Sequence, residues 1–240
     1  MRPQTPEHPD PLGEQLVSLA AAIERAEVNP GGHAFPKEAA FFIDFASLHQ
    51  KDADGKRTPD EAAAFGEALS GMQVWYAHPL ATAFLTRSLP AGYESVPGYA
   101  ERGWPTCESS WAALAKVSGL VSWAPIFDVV ASAPYARPPP MAPAAMARLV
   151  ASKRFTSKKG DLPMVIELNT RTILSLFGSV TELGYGSLGW GDAEVAQLCE
   201  VLPFCKSVKK LQLYENKIGN AGLKAFSEAI ASGSLAQLKV

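Results

Sequence analysis

The sequence lacks an excess of charge of either sign. Twenty-two Lys and Arg stand against 24 Asp and Glu, a net charge of −2 over 240 residues. A chain built to neutralise phosphates clusters surplus Lys and Arg on one face, so nucleic acid is not expected as a partner. Cysteine is also scarce. Cys107, Cys199 and Cys205 are an odd number without the C-x-x-C spacing of a zinc site or a thioredoxin-like motif, and they read as reduced thiols of a cytoplasmic protein. Met1 to Pro11 holds prolines and charges but no apolar core of a signal peptide. The most apolar later stretch, Gly119 to Ala136, is broken by Asp128 and two prolines, and it falls short of the roughly 20 clean residues of a membrane span. No Ser-His-Asp or Cys-His arrangement is readable, and no glycine-rich loop follows a strand. His8, His33, His49 and His78 are singletons without metal spacing. No metal and no required cofactor are expected.

What is present reads as a series of short elements. Asp10-Pro11 can open a helix carrying Leu12, Leu16, Leu19 and Ile23 on one stripe, stopped by Asn29-Pro30-Gly31-Gly32. Ala39 to Phe45 has the length and aromatic content of a buried strand, which would place Asp44 at a strand end facing a cleft. The loop from Ser47 to Pro59 is charged. Its Asp52-Ala53-Asp54-Gly55 invites a calcium reading, but the glycine is out of register and Ala63 stands where a ligand is needed. Thr58-Pro59-Asp60-Glu61 is a capped helix start, with Ala64, Phe65, Ala68, Leu69 and Met72 as the buried face, and the stretch after Gly71, from Val74 to Leu85, is apolar and aromatic. A second strand is expected around Ala81 to Leu85, and a helix from near Trp104, where Trp104 and Glu108 share a face. Ser132 to Pro143 is proline-rich and reads as a linker, extended by the basic pairs Lys153-Arg154 and Lys158-Lys159. Asp161 then opens a helix with Val165, Ile166, Ile173, Leu176 and Phe177 inward, ended by Gly178.

The strongest pattern lies at the C-terminus, where the chain repeats itself at a step of 28. Residues 208 to 222 contain the form L-x-L-x-x-N-x-I-G. Shifted back by 28, Val180, Leu183, Trp190, Gly191, Val195, Leu198 and Leu202 fall on Val208, Leu211, Ile218, Gly219, Leu223, Phe226 and Ile230. In such a unit alternating leucines face a short strand inward, asparagine satisfies backbone groups at the turn, and a helix closes the back. The pattern resembles the ribonuclease-inhibitor type of leucine-rich repeat, also found in NLR-type immune receptors, over about residues 180 to 240. The first unit departs from it, with Tyr185 for the second leucine and Leu188 for the asparagine. A third unit is expected to begin at Leu235.

Three features of the first half occur together: Phe42-Ile43-Asp44-Phe45-Ala46-Ser47-Leu48-His49-Gln50, then Trp75-Tyr76-Ala77-His78, then Tyr99 through Arg102-Gly103-Trp104 to Glu108. This half resembles the TIR-like α/β domains of large protist and algal families, with I-D-x-x-S-L-x-Q and R-x-W-x-x-x-E in this order. The resemblance implies a small parallel, flavodoxin-like sheet wrapped by helices, and self-association through that module. Some TIR domains cleave NAD with the glutamate of a W-x-x-x-E motif. On that resemblance Glu108 is the catalytic residue, NAD is the substrate, and Trp104, Asp44, Lys51 and Arg57 lie at the same cleft.

The expected architecture is α/β: a TIR-like module at 1–131, a linker at 132–160, and a capping helix with leucine-rich repeats at 161–240, the units being 180–207, 208–234 and a partial 235–240. The opening strand of a TIR domain is missing and the last repeat is uncovered, so the chain is expected to be a fragment of a longer architecture. The expected function is protein–protein interaction in a signalling scaffold, with Gln212, Tyr214 and Glu215 on the repeat's strand face as the contact surface. The alternative is a TIR-type NAD glycohydrolase.

Overall fold

The computed structural model describes residues 10, 12–27, 38–87, 97–114, 126–130 and 135–238. Helix α1 (Glu14–Glu27) begins four residues after Asp10 instead of directly behind it, and the Asp10 carboxylate accepts the Leu16 N–H in its first turn at 3.0 Å. Its expected stripe is only partly covered, since Leu12 and Leu16 are exposed while Ala22 is buried. The stop signal at Asn29–Gly32 lies outside the described residues.

The strand expected at Ala39 to Phe45 does not form. Residues 39–43 have no regular structure, and Asp44–Ser47 is a single helical turn, α2. The cause is local bonding. The Ile43 carbonyl accepts the N–H groups of Ala46 and Ser47, and the Ser47 hydroxyl accepts the Ile43 N–H at 3.1 Å. Short polar side chains offer such alternatives to a sheet ladder. Asp44 therefore starts a turn instead of ending a strand.

Helix α3 (Pro59–Ala77) has the expected capping box between Thr58 and Glu61. It runs through Gly71 for six further residues, and its buried positions are Met72, Gln73 and Ala77, while Ala64 is exposed. Glycine costs a helix only about 1 kcal/mol. The far end of α3 packs on α4 (Gly103–Ala112) and α6 (Lys158–Ser179), and that burial outweighs the loss. Strands β1 (Ala83–Leu85) and β2 (Ile126–Asp128) pair in parallel, Phe84 opposite Phe127 with stacked rings 5.3 Å apart.

The segment 132–160, expected as a linker, contributes to the core. Helix α5 (Pro143–Ala151) places Met146 and Val150 inside, and Pro139 and Pro140 are buried. Helix α5 packs against α4 and α6. One hydrophobic cluster runs from Met72 through Trp111, Met146 and Phe177 to Leu183, Trp190 and Leu235.

Beyond α6 the sequence step becomes a spatial one. Strands β3 (Glu182–Gly184) and β4 (Lys210–Gln212) are parallel, with Glu182, Leu183 and Gly184 opposite Lys210, Leu211 and Gln212. Each partner is the residue 28 positions on. Helices α7 (Asp192–Cys199) and α8 (Asn220–Ala231) follow the two strands and pack side by side. The loops repeat as well: Ser187 and Glu215 both take positive φ, at 56° and 53°. Residues 232–237 form turns, and the strand position of a third unit runs into residues 239–240, outside the described residues. The fold is α/β, with two small parallel sheets among the described residues. No described helix is long and apolar enough to cross a membrane.

Candidate functional site

Two groups of residues were singled out from the sequence, and the fold treats them differently. Glu108 lies on α4, half-buried, one residue past the buried Cys107. Its carboxyl is pushed up to about 8, chiefly by burial and in addition by the charge of Asp44, against a downward pull from Arg102. Tyr76, at the end of α3, and Tyr99, in a short turn before α4, are both raised by burial and by the Glu108 charge, and Asp44 also acts on Tyr76. So Asp44 and Glu108, 64 positions apart in the chain, share one electrostatic neighbourhood with Tyr76, Tyr99 and Arg102. Asp44 stands at its exposed side. The Arg102 Nε is buried without a hydrogen-bond partner among the described residues.

Trp104 is half-buried and packs against the main core. Arg57 does not join this group. Lys51 is exposed in the loop before α3. Arg57 stays in the same loop, its Nε donating to the His49 carbonyl at 2.6 Å and its guanidinium lying 3.6 Å from the centre of the Phe65 ring. Phe65 is eleven residues before Tyr76 on α3, which at 1.5 Å per residue is about 16 Å along the helix. The Asp52 loop is closed by its own bonds: Oδ1 of Asp52 accepts the N–H groups of Asp54 and Lys56. Among the described residues no cluster of three or more His, Cys, Asp or Glu could hold a metal ion.

The second group lies beside β4. Gln212 is half-buried in the strand, and Tyr214 and Glu215 are exposed just after it. The Tyr214 ring lies flat over Gly186, where an added Cβ would come within 2.6 Å of the ring. Ser187 donates to the Glu215 carboxylate at 2.6 Å, and Lys210 pairs with Glu182 at 3.4 Å. Each of these contacts joins residues at matching positions of the two units.

Asn216 holds this surface in place. Its Nδ2 donates to the carbonyls of Tyr185 and Leu213, at 2.7 and 2.9 Å, and its Oδ1 accepts the N–H groups of Leu188 and Trp190, at 3.1 and 3.0 Å. One amide thus ties four backbone groups across both loops. Asp192 adds a bond between the units, its Oδ1 taking the Gly219 N–H at 2.6 Å.

Sequence reasoning left three participants without a role. Arg102 and Tyr99 sit inside the quoted segment before Glu108, but nothing in their spacing announces that they share its environment. Arg137 lay hidden in the proline-rich stretch. It is buried, its Nε donates to the Ala113 carbonyl at 2.8 Å, and its other nitrogens reach the carbonyls of Leu114 and Gly184, both at 3.2 Å. No family model matches the chain, and no curated protein or solved structure matches it significantly.

Proposed function

We propose that this chain is a protein–protein interaction scaffold, in which two units of leucine-rich-repeat type follow a TIR-like α/β module and partners are bound at Gln212, Tyr214 and Glu215. The observation that carries the reading is the Asn216 amide, which locks two loops 28 residues apart in register and holds Tyr214 and Glu215 outward on a rigid edge. An aromatic ring beside a carboxylate, both held by the backbone beneath them, suits recognition of a basic or polar peptide segment. Partners are therefore proteins, in the cytoplasm. The test is a displayed peptide library selected on the immobilised chain and on a Gln212→Ala, Tyr214→Ala, Glu215→Ala variant. Sequences enriched on the parent and lost on the variant are expected. Equal enrichment on both would remove the surface from consideration.

A second reading is NAD cleavage through Glu108. It is favoured by the meeting of Asp44, Arg102 and Glu108 around two buried tyrosines. Breaking the nicotinamide bond develops oxocarbenium charge, which an ionised carboxylate stabilises. Because burial holds the Glu108 proton up to a pH of about 8, the ionised form and any such activity should rise through that pH. Nicotinamide release from NAD, followed from pH 6 to 9 for the parent and Glu108→Gln, decides it. Release that is absent, or equal in both, rejects the reading.

A further inference from the structure

Three departures of the first repeating unit from the second touch one segment of the chain. Tyr185, Trp190 and Gln197 stand where the second unit has Leu213, Ile218 and Ala225, 28 positions on. A phenol, an indole N–H and an amide thus replace side chains that cannot hydrogen-bond. The Trp190 Nε1 donates to the Arg137 carbonyl at 2.8 Å, and the Gln197 Nε2 donates to the carbonyls of Pro139 and Pro140 at 2.9 and 3.3 Å. Trp190 stacks on Tyr185 with ring centres 4.9 Å apart, and the Arg137 guanidinium lies over the Tyr185 ring. Trp190, Pro139 and Pro140 are buried.

The segment so held has a defined form. Proline fixes φ at about −65° and keeps the residue before it extended, so Arg137-Pro138-Pro139-Pro140 runs as polyproline II, outside any helix or strand. Its prolines have no N–H to join a sheet ladder, and its carbonyls find no partners within it. Recognition is left to those carbonyls and to the ring faces. At three residues per turn the carbonyls of Arg137 and Pro140 return to one edge, about 9 Å apart. Trp190 takes one end of this edge and Gln197 the other. The form is already fixed before contact, so docking orders little.

We infer that Tyr185, Trp190 and Gln197 form a binding site for an arginine-led polyproline segment, and that residues 137–140 are its ligand, carried in the same chain. The indole and the amide donate to the carbonyls, and Tyr185 offers an aromatic face to the arginine. The first unit has donors at these positions because a polyproline strand offers acceptors alone. None of the three side chains belongs to the surface proposed at Gln212, Tyr214 and Glu215.

The test reads hydrogen exchange of the Trp190 Nε1–H, its NMR signal assigned by its loss in Trp190→Phe. Exchange should be slow in the full chain. It should speed up at least tenfold in the full chain carrying Pro138→Ala and Pro139→Ala, which keeps every carbonyl and loses the fixed form. An acetylated peptide of residues 135–142, added in excess, should restore slow exchange to that variant, and the same peptide with alanine at 138, 139 and 140 should not. Unchanged exchange in a variant whose circular dichroism matches the parent would overturn the inference. So would failure of the proline peptide to slow it, or equal rescue by the alanine peptide. Gln197→Ala alters a single half-buried side chain and covers the case of a proline variant that does not fold. Trp190 Nε1–H exchange should rise at least threefold in it, and an unchanged rate there would overturn the inference by itself.

Discussion

Arg137 lies over the ring of Tyr185, its guanidinium carbon 4.8 Å from the ring centroid, and both side chains reach the C-terminal end of α4. Arg137 donates to the carbonyls of Ala113 and Leu114, and the Tyr185 hydroxyl donates to the same Leu114 carbonyl. These are carbonyls that a helix end leaves without intrahelical partners, and a cation is favoured there. Arg137 also reaches Gly184 in β3, so one residue of a proline-rich stretch links the first half of the fold to the repeating half.

Replacing Arg137 by Met should therefore be costly. It removes the donor from the Ala113 and Gly184 carbonyls and one of the two donors from that of Leu114, in a buried place, and we expect a loss of about 2–4 kcal/mol, read as a lower urea midpoint at unchanged slope. Arg137→Lys should recover only part of this, because an ammonium cannot serve three carbonyls with a planar fork. A wild-type midpoint for the Met variant would show that the clamp contributes nothing.

Asn216→Ala should weaken the repeating half in a different way. It leaves the Leu188 and Trp190 N–H groups without their acceptor and two carbonyls without their donor, a cost of about 2–3 kcal/mol. Asn216→Asp keeps the acceptors and loses the donors, so its unfolding midpoint should fall between those of the parent and the Ala variant. An Asp variant less stable than the Ala variant would contradict this account of the amide.

The stability of the fold should depend on pH through Glu108. Its carboxyl is raised from the ordinary carboxylate range to about 8, so between those limits the folded state holds a proton that the unfolded chain has lost. The contribution is fully present at low pH, declines as pH rises across that window, and is gone above about 8. Glu108→Gln keeps the neutral shape and should flatten this decline in a series of urea titrations. An identical decline in the variant would place its origin elsewhere.

Gly186 is required for the posture of Tyr214. A methyl group there would meet the ring at 2.6–2.8 Å, so Gly186→Ala must displace the ring from its seat. Overpacking of this kind costs about 1–3 kcal/mol. Gly186→Ala combined with Tyr214→Ala should restore most of the stability while leaving peptide binding at this surface abolished. Recovery of binding in the double variant would separate Tyr214 from recognition.

The three thiols should react in order of exposure. Burial pushes Cys107 and Cys205 up to about 12, whereas Cys199 is half-exposed at the end of α7. Iodoacetamide at pH 8 should label Cys199 first, located by peptide mass, with the other two modified only on unfolding. Early labelling of Cys107 would mean that the α4 region opens readily.

The elements that were legible in the sequence are those whose signals are local. Thr58 and Glu61 cap α3 with bonds three residues apart, and the 28-residue step reappears as strand register because each unit places the same side chains at the same points of the same loop. Two expectations failed where a distant partner or a competing local bond decided. The run at Ala39 to Phe45 has strand composition, but the Ser47 hydroxyl and the Ile43 carbonyl close a turn first. Residues 132–160 read as a linker, yet Met146 and Val150 are covered by neighbouring helices and Arg137 finds carbonyl partners at Ala113, Leu114 and Gly184. Part of the candidate site was legible in the same limited sense: Trp104 and Glu108 share a helix face by spacing alone, whereas Arg57, held against Phe65, is kept apart from it by the length of α3.

The sequence alone settles the capping of α3, the repeat and its step, and the near balance of charge, since each is a property of residues a few positions apart or of simple sums. Tertiary structure decides that Asp44 and Arg102 surround Glu108, that the proline-rich stretch carries a buried arginine clamp, and that Leu223 and Ile230 stay exposed where Val195 and Leu202 are covered. Those outcomes depend on desolvation and on hydrogen-bond partners supplied from elsewhere in the chain. Neither quantity can be read before the elements have packed.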